Sequence, residues 1–340
     1  MRKINVLVTG IGGPTAQGVL RCLREIDHIH IVGADRRKIT SGNQFCDTTY
    51  QIPRFTQIED YKNAISEIVS EEKIEVIFPS LHEEIELFDT YRDEWGPLIA
   101  IPESDSFKAL LDKEQVYARL KEANLDQYIP KFYGFNSAEE LLHLLENKFP
   151  DERYTVAKMV SGYGAIGFAL LMSREDYLDE LAKGNSKAFN VNDYCAVNKN
   201  SDRKILMEYL DGMEYSVDVF LHKGEVVVAM PRERTGVSNG IVLDGKVIYD
   251  EELIQAASEI ATAIASNGFL NIQFIERNGE YKFTDVNPRF CGSQVMGLGA
   301  EVNFPYLFIQ YNLLNEYASV EPRWNTRMIR YRDHFFVYDE

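Results

Sequence analysis

The chain has few cysteines, and none of the four (Cys22, Cys46, Cys195, Cys291) falls in a C-x-x-C pair. That spacing argues against a thiolate zinc site or a disulfide framework and fits a reducing, cytoplasmic compartment. Basic charge is also short: 36 Lys and Arg face 53 Asp and Glu, a formal net charge of −17. Neither nucleic acid nor an anionic membrane surface is a natural partner, and an anionic ligand must be met by local cations. No apolar run approaches the roughly 18 residues of a membrane span, and the start "MRKINVLVTG" holds too short an apolar core for a signal peptide. Repeats and low-complexity tracts are absent as well. What is left is an ordinary globular composition in 340 residues, 45% hydrophobic and 26% charged, enough for two or three sub-domains.

What is present begins with "NVLVTGIGGPTAQGVLRCL" at 5–23, an apolar strand running into a glycine turn and a helix. The dinucleotide template G-x-G-x-x-G fits at Gly10 and Gly12 but meets Thr15 at its third glycine, while Asp35 stands where a ribose-binding acid is expected. The phosphate-loop template fits at Gly13 and Gly18 but finds Val19 and Leu20 in place of its Lys and hydroxyl. A strand-to-helix turn needs glycine even with no nucleotide. On these residues alone, the dinucleotide and plain-turn readings both stay open.

Apolar runs INVLV, IHIVGA, EVIFPS and PLIAIP alternate with amphipathic stretches over the first hundred residues, the pattern of an α/β, doubly wound parallel sheet. Ligands of such sheets sit outside the carboxyl ends of the strands, which gathers the opening turn, Asp35 and residues 79–84 at one crevice. After Pro102 comes a helical stretch, then longer β runs joined by tight polar turns. These predict an α+β second part with mostly antiparallel sheets.

Three stretches carry chemistry. In "FTDVNPRF", Asp285 and Asn287 lie two apart on a strand and share a face, with Arg289 just beyond. Oxygen ligands beside a fixed cation suit Mg²⁺ shared with phosphates; the plain alternative is a solvated strand end. A three-residue loop with a left-handed Gly279 is expected between the two strands and brings Gln273 to that face; a strict two-residue turn at Asn278 and Gly279 would pair Gln273 with Thr284 and remove it. In "VAKMVSGYGAIGF", Lys158 sits in an apolar strand before a loop with Gly162, Gly164 and Gly167 that can fold over phosphates; a snorkelling Lys before a turn is the alternative. In "LMEYLDGMEYSVDVF", Glu208 and Glu214 offer acceptors to a purine and a ribose, or simply face solvent. Arg232 and Arg234 share one strand face and suit phosphate or carboxylate oxygens.

In this order the segments resemble the ATP-grasp superfamily, in the branch similar to half of a carbamoyl-phosphate synthase large chain. The resemblance spans nearly the whole chain. It implies a Rossmann-like pre-ATP-grasp domain over 1–110, a small lobe with the glycine loop over 111–205, a large lobe with the Mg²⁺ site over 206–325, and a tail over 326–340. It places Lys113, in "LLDKEQVYARL", with Lys158, Gly162 and Gly164 on ATP phosphates. Glu208 and the Leu210 backbone then meet adenine, and Glu214 meets ribose. Gln273, Asp285 and Asn287 bind Mg²⁺, with a place for two ions and Mn²⁺ as a substitute. Arg289 neutralises the transferring phosphoryl group, with Lys158, Arg232 and Arg234 as further catalytic candidates.

Gly12 and Gly13 pass to the second substrate, beside His82 and Glu83. The family usually has Glu where this chain has Asp285, and the shorter side chain bridges two ions less easily. The implied activity joins a small, amino-acid-like carboxylate to an amine or thiol through an acyl phosphate. Small-molecule partners and a homodimer are the default expectations. Alternatives are phosphorylation of bicarbonate or carbamate, a silent ATP-binding module, and an NAD(P) oxidoreductase, which leaves 154–289 unexplained.

Overall fold

A computed structural model describes residues 2–162, 167–198, 200–238, 241–331 and 333–337. The chain forms two compact units, each discontinuous in sequence: one of 1–108, 214–273 and 286–340, the other of 109–213 and 274–285.

The first unit opens on a parallel sheet of β1 (Ile4–Thr9), β2 (Ile29–Asp35), β3 (Thr48–Gln51), β4 (Val76–Phe78) and β5 (Leu98–Ile99). Its order is β3-β2-β1-β4-β5. Strands β1, β2 and β4 are buried on both faces, which is why they read as near-continuous apolar runs. The order reverses at β1, so the crevice of such a sheet lies at the carboxyl ends of β1 and β4. Helix α1 (Pro14–Arg24) starts there: Gly13 is extended, Pro14 takes the first turn, and Arg21 and Arg24 complement the dipole in the last. Gly18 presses on the backbone of Gly292, where a Cβ would stand 2.9 Å from the Gly292 carbonyl oxygen. Close packing, and not a phosphate loop, explains that glycine.

The same unit carries most of a six-stranded sheet. Its strands are β11 (Glu214–His222), β12 (Glu225–Ser238), β13 (Ile241–Val247), β14 (Gly268–Arg277), β15 (Glu280–Asn287) and β16 (Arg327–Ile329), in the order β15-β14-β11-β12-β13-β16. The pairs β11–β12, β12–β13 and β13–β16 are antiparallel. One core unites both sheets: Phe269 stacks on Phe290 at 4.6 Å, and Phe78 meets Phe290 and Phe308 edge-on.

The second unit holds β6 (Phe132–Ser137), β7 (Thr155–Met159), β8 (Ala169–Met172), β9 (Ala188–Asn190) and β10 (Asn200–Glu208), ordered β6-β10-β7-β8-β9. All its pairs are antiparallel except β8–β9, which a helix connects. A separate core of Phe135, Leu141, Phe149, Leu171, Tyr194 and Leu206 fills it. The α/β and α+β expectations thus both match the fold. The β14–β15 hairpin tip belongs to this unit by its contacts, an association between distant segments that local sequence patterns do not carry.

Candidate functional site

In the second unit, Lys113 begins a helix, Lys113–Glu122, whose N-cap Asp112 accepts from the Gln115 N–H at 3.1 Å. The Lys113 N–H donates to Val160 O at 2.9 Å, and the Val160 N–H to Arg203 O, so this helix start is tied to the root of the glycine loop. Its ammonium lies 3.3 Å from Asp285 Oδ1. Next to it, Glu114 takes a two-pronged bond from Arg203, 2.8 Å on each prong. That fork passes over Gly134, where a Cβ would stand 2.0 Å from Arg203 Nη2.

Tyr117, one turn beyond Lys113, is fully buried against Phe132 and Phe283. Burial, and then the Asp285 charge, push its phenol well above the usual range. Sequence reasoning missed Tyr117, Glu114 and Arg203; the i, i+4 spacing from Lys113 was the available signal for the first.

Lys158 is half-buried on β7, with its ammonium 5.9 Å from the Phe168 ring centre. Gly162 and Gly167 have φ of 148° and 72°, which favour glycine, while Gly164 lies outside the described residues. Both Glu208 oxygens are engaged: one accepts from the Lys131 N–H at 2.8 Å, the other pairs with Arg277 at 2.5 Å. Leu210, just after β10, is buried.

On β15 the expected alternation is present, with Asp285 and Asn287 half-buried and Val286 buried between them. The hairpin, however, turns through two residues, Asn278 at φ 56° and Gly279 at φ 81°. This corrects the expected three-residue loop: Asn-Gly suits the tight two-residue turn, whose register sets Gln273 opposite Thr284 and away from the Asp285 face. Farther along the pair of strands, the Asn271 and Asn287 side chains meet at 3.4 Å. The hairpin itself no longer supports Gln273 as a ligand.

In the first unit, Arg232 departs from expectation. It is fully buried and donates to Asp218 Oδ1 at 2.8 Å, with Asn271 and Cys291 around it. Burial disfavours its charge, but Asp218 and then Cys291 hold the guanidinium above its ordinary value. A group so enclosed does not meet a substrate arriving from solvent, so its direct catalytic role is withdrawn. Arg234 pairs with Glu214 at 3.4 Å, and Glu214 is half exposed at 49%. Arg289 donates to Asn287 Oδ1 at 3.4 Å and to Phe290 O at 3.0 Å.

At the crevice end of the parallel sheet, the Gly12 N–H donates to Asp35 Oδ2 at 2.9 Å, and Arg37 grips the same carboxylate. A Cβ at Gly12 would stand 2.0 Å from Arg37 Nη2, and the Gly13 N–H closes the turn onto Gly10 O. With both Asp35 oxygens used inside the fold, the dinucleotide reading loses its ribose acid. His82 is half-buried and Glu83 exposed on a short 3₁₀ turn. The neighbouring Glu84 is fully internal, taking bonds from Thr9, Tyr61 and the Ser80 and Leu81 N–H groups.

Among the described residues no cluster of three or more His, Cys, Asp or Glu side chains is placed to hold a metal. One carboxylate and one amide on β15 match a hard cation that completes its shell with phosphate oxygens, so the donor chemistry fits Mg²⁺ carried by a nucleotide.

The parallel sheet, the second sheet with its glycine loop and the returning hairpin define the ATP-grasp architecture, the fold of ATP-dependent ligases. Residues 200–333 match the family "ATP-grasp in the biosynthetic pathway with Ter operon", and residues 6–97 match "PylC-like, N-terminal domain". The chain thus carries an ATP-grasp domain and a PylC-like N-terminal domain. A stretch of 102 residues is 35% identical to the carbamoyl phosphate synthase large chain of Thermomicrobium roseum, covering 26% of this chain and 9% of that relative.

Among solved structures, the L-amino acid ligase of Bacillus licheniformis is similar at a TM-score of 0.64 and 12% identity, over 91% of this chain and 74% of that one. The biotin carboxylase domain of Hydrogenobacter thermophilus 2-oxoglutarate carboxylase, solved with MgADP and bicarbonate, is similar at 0.65 and 16%, over 91% and 70%. At these identities the likeness shows the fold. Among the described residues no helix is long and apolar enough to cross a membrane.

Proposed function

We propose that the protein is an ATP- and Mg²⁺-dependent ligase that joins a small carboxylate to an amine through an acyl phosphate. The observation that carries this reading is the Lys113–Asp285 pair at 3.3 Å, a cation and an anion suited to the two ends of a metal–phosphate group. Lys113 and Lys158, with the loop from Gly162, hold phosphates. Leu210 and Glu208 border adenine, and Glu214, steadied by Arg234, accepts from ribose. Asp285 and Asn287 offer oxygens to Mg²⁺, and Arg289 neutralises the phosphoryl oxygens.

A carboxylate is a poor electrophile, and ATP supplies the phosphoryl group that turns it into an acyl phosphate open to attack by the amine. The protein's share is to position two anions and screen their repulsion. Gly12, Gly13, His82 and Glu83 border the second substrate. Mn²⁺ is the expected substitute ion, the free cysteines suit a reducing, cytoplasmic compartment, and a homodimer is the default assembly.

Release of ADP across a panel of carboxylates and amines tests the proposal. Release that requires both members of a pair supports it; nucleotide binding without turnover under any pair identifies a silent module. The 102-residue likeness to a carbamoyl phosphate synthase favours one second reading, phosphorylation of bicarbonate or carbamate. ADP release driven by bicarbonate alone would select it.

A further inference from the structure

We infer that the buried Arg232–Asp218 pair fixes the direction of two side-chain amides, Asn271 and Asn287, and so presents the oxygen of Asn287 to the metal. The inference rests on the metal reading given under the proposed function. Arg232 and Asp218 are each 0% exposed, and Arg232 Nη2 donates to Asp218 Oδ1 at 2.8 Å. The same oxygen accepts from Asn271 Nδ2 at 2.8 Å. An amide that gives its NH₂ to Asp218 turns its oxygen the other way, and Asn271 Oδ1 accepts from Asn287 Nδ2 at 3.4 Å. Asn287 Oδ1 then faces away from Asn271, where Arg289 Nη2 donates to it. Donor and acceptor alternate without a break from the guanidinium to Asn287. The two ends of an amide have nearly the same shape, so packing selects weakly between them and hydrogen bonds decide. Only the oxygen end binds a hard cation.

A purely stabilising role explains the cluster less well. Two charges taken out of water gain little net from one another. Asp218 Oδ2 and Arg232 Nε and Nη1 also have no hydrogen-bond partner among the described residues. What the pair does supply is an acceptor of fixed sign at one end of the relay. Arg232 is thus a positioning residue, acting through Asp218 and Asn271.

The test is Mn²⁺ affinity in the presence of ADP, read by electron paramagnetic resonance on the full chain. Asp218→Asn, nearly isosteric, lets that position offer either end of an amide. It is expected to weaken Mn²⁺ about tenfold or more in the folded variant, with metal-free ADP affinity unchanged and a lower melting temperature, because Arg232 keeps a buried charge beside a neutral partner. The double variant Asp218→Asn with Asn271→Asp moves the fixed acceptor one position along the relay, so it is expected to regain most of the lost affinity. A merely structural ion pair predicts no such rescue.

Native Mn²⁺ affinity in a folded Asp218→Asn variant, or a folded double variant that stays weak, overturns the relay. If the single variant does not fold, the double variant is compared with the native protein directly, and the same two outcomes decide. Failure of the native protein to hold Mn²⁺ with ADP overturns the metal reading, and the relay with it.

Discussion

Lys113 Nζ stands 3.3 Å from Asp285 Oδ1 in an ion pair whose side chains are 13% and 27% exposed. Two groups expected at opposite ends of a metal–triphosphate unit hold each other in the protein alone, so MgATP must replace each partner with a stronger one. Lys113→Ala and Asp285→Ala are each expected to lower ADP release on the order of a hundredfold or more, as when preorganised groups at developing charge are removed. Asp285→Glu restores the longer carboxylate usual in the family and is expected to keep turnover while lowering the Mg²⁺ concentration at half-maximal rate. Steady-state assays over a Mg²⁺ titration check all three. Unchanged Mg²⁺ dependence in both alanine variants would remove these residues from the site.

Glu208 is already committed to Arg277 and to the Lys131 N–H, so its carboxylate serves the fold before any nucleotide arrives. Glu208→Gln is expected to lower stability by about 1 kcal/mol, the scale of a partly exposed pair. Arg277→Ala separates the two roles: it is expected to lower the melting temperature by a similar amount while leaving ATP affinity equal or higher, because Glu208 is released. Calorimetric titration alongside thermal melts reads both. A loss of ATP affinity in Arg277→Ala would instead make the pair itself part of the nucleotide contact.

Local periodicity carried the parts of this molecule that were legible in its sequence. Asp285, Val286 and Asn287 alternate as a period of two requires, and the doubly buried β1 and β2 read directly as apolar runs. Arg232 was not legible, because an Arg at alternate strand positions looks the same whether it faces solvent or a buried Asp218 fourteen residues away. Asn278–Gly279 is the sequence of a two-residue turn, with both residues at the positive φ that such a turn requires, so the longer loop expected there does not form. The contact between Asn271 and Asn287, sixteen residues apart, leaves no mark in composition. Nor does any local pattern say that 274–285 return to pack with 109–213.

Gly18 supplies a test of packing apart from chemistry. A Cβ there would meet the Gly292 carbonyl oxygen at 2.9 Å, and one at Gly292 would meet Pro14 O at 2.6 Å, so neither backbone has room to yield. Overpacking of this kind costs about 1–3 kcal/mol, against which Ala regains about 1 kcal/mol of helix propensity. Gly18→Ala is therefore expected to lower the urea midpoint without changing the slope of the transition. An increase in stability would show that α1 and the Gly292 segment are not held in this contact.

Two buried carboxylates at the crevice end of the parallel sheet give opposite pH signs. Burial raises the Asp35 carboxyl, but the Arg37 guanidinium and then the Arg37 and Gly12 N–H groups outweigh it and hold the group below its ordinary 3.8. The folded form ionises more readily than the unfolded, so this contribution is complete above the unfolded value and is lost as pH falls through the folded one. At Glu84 burial wins over bonds from Thr9, Leu81, Tyr61 and Ser80 and lifts the carboxyl above 4.5. There the fold keeps the proton longer, so the contribution is complete below the unfolded value and is lost as pH rises through the folded one. Asp35→Asn is expected to flatten the loss of stability below about pH 4, and Glu84→Gln to flatten a decline above about pH 4.5. Urea midpoints between about pH 3 and pH 7 separate the two, since an unaltered slope in either variant shows that its carboxyl titrates alike in the folded and unfolded chain.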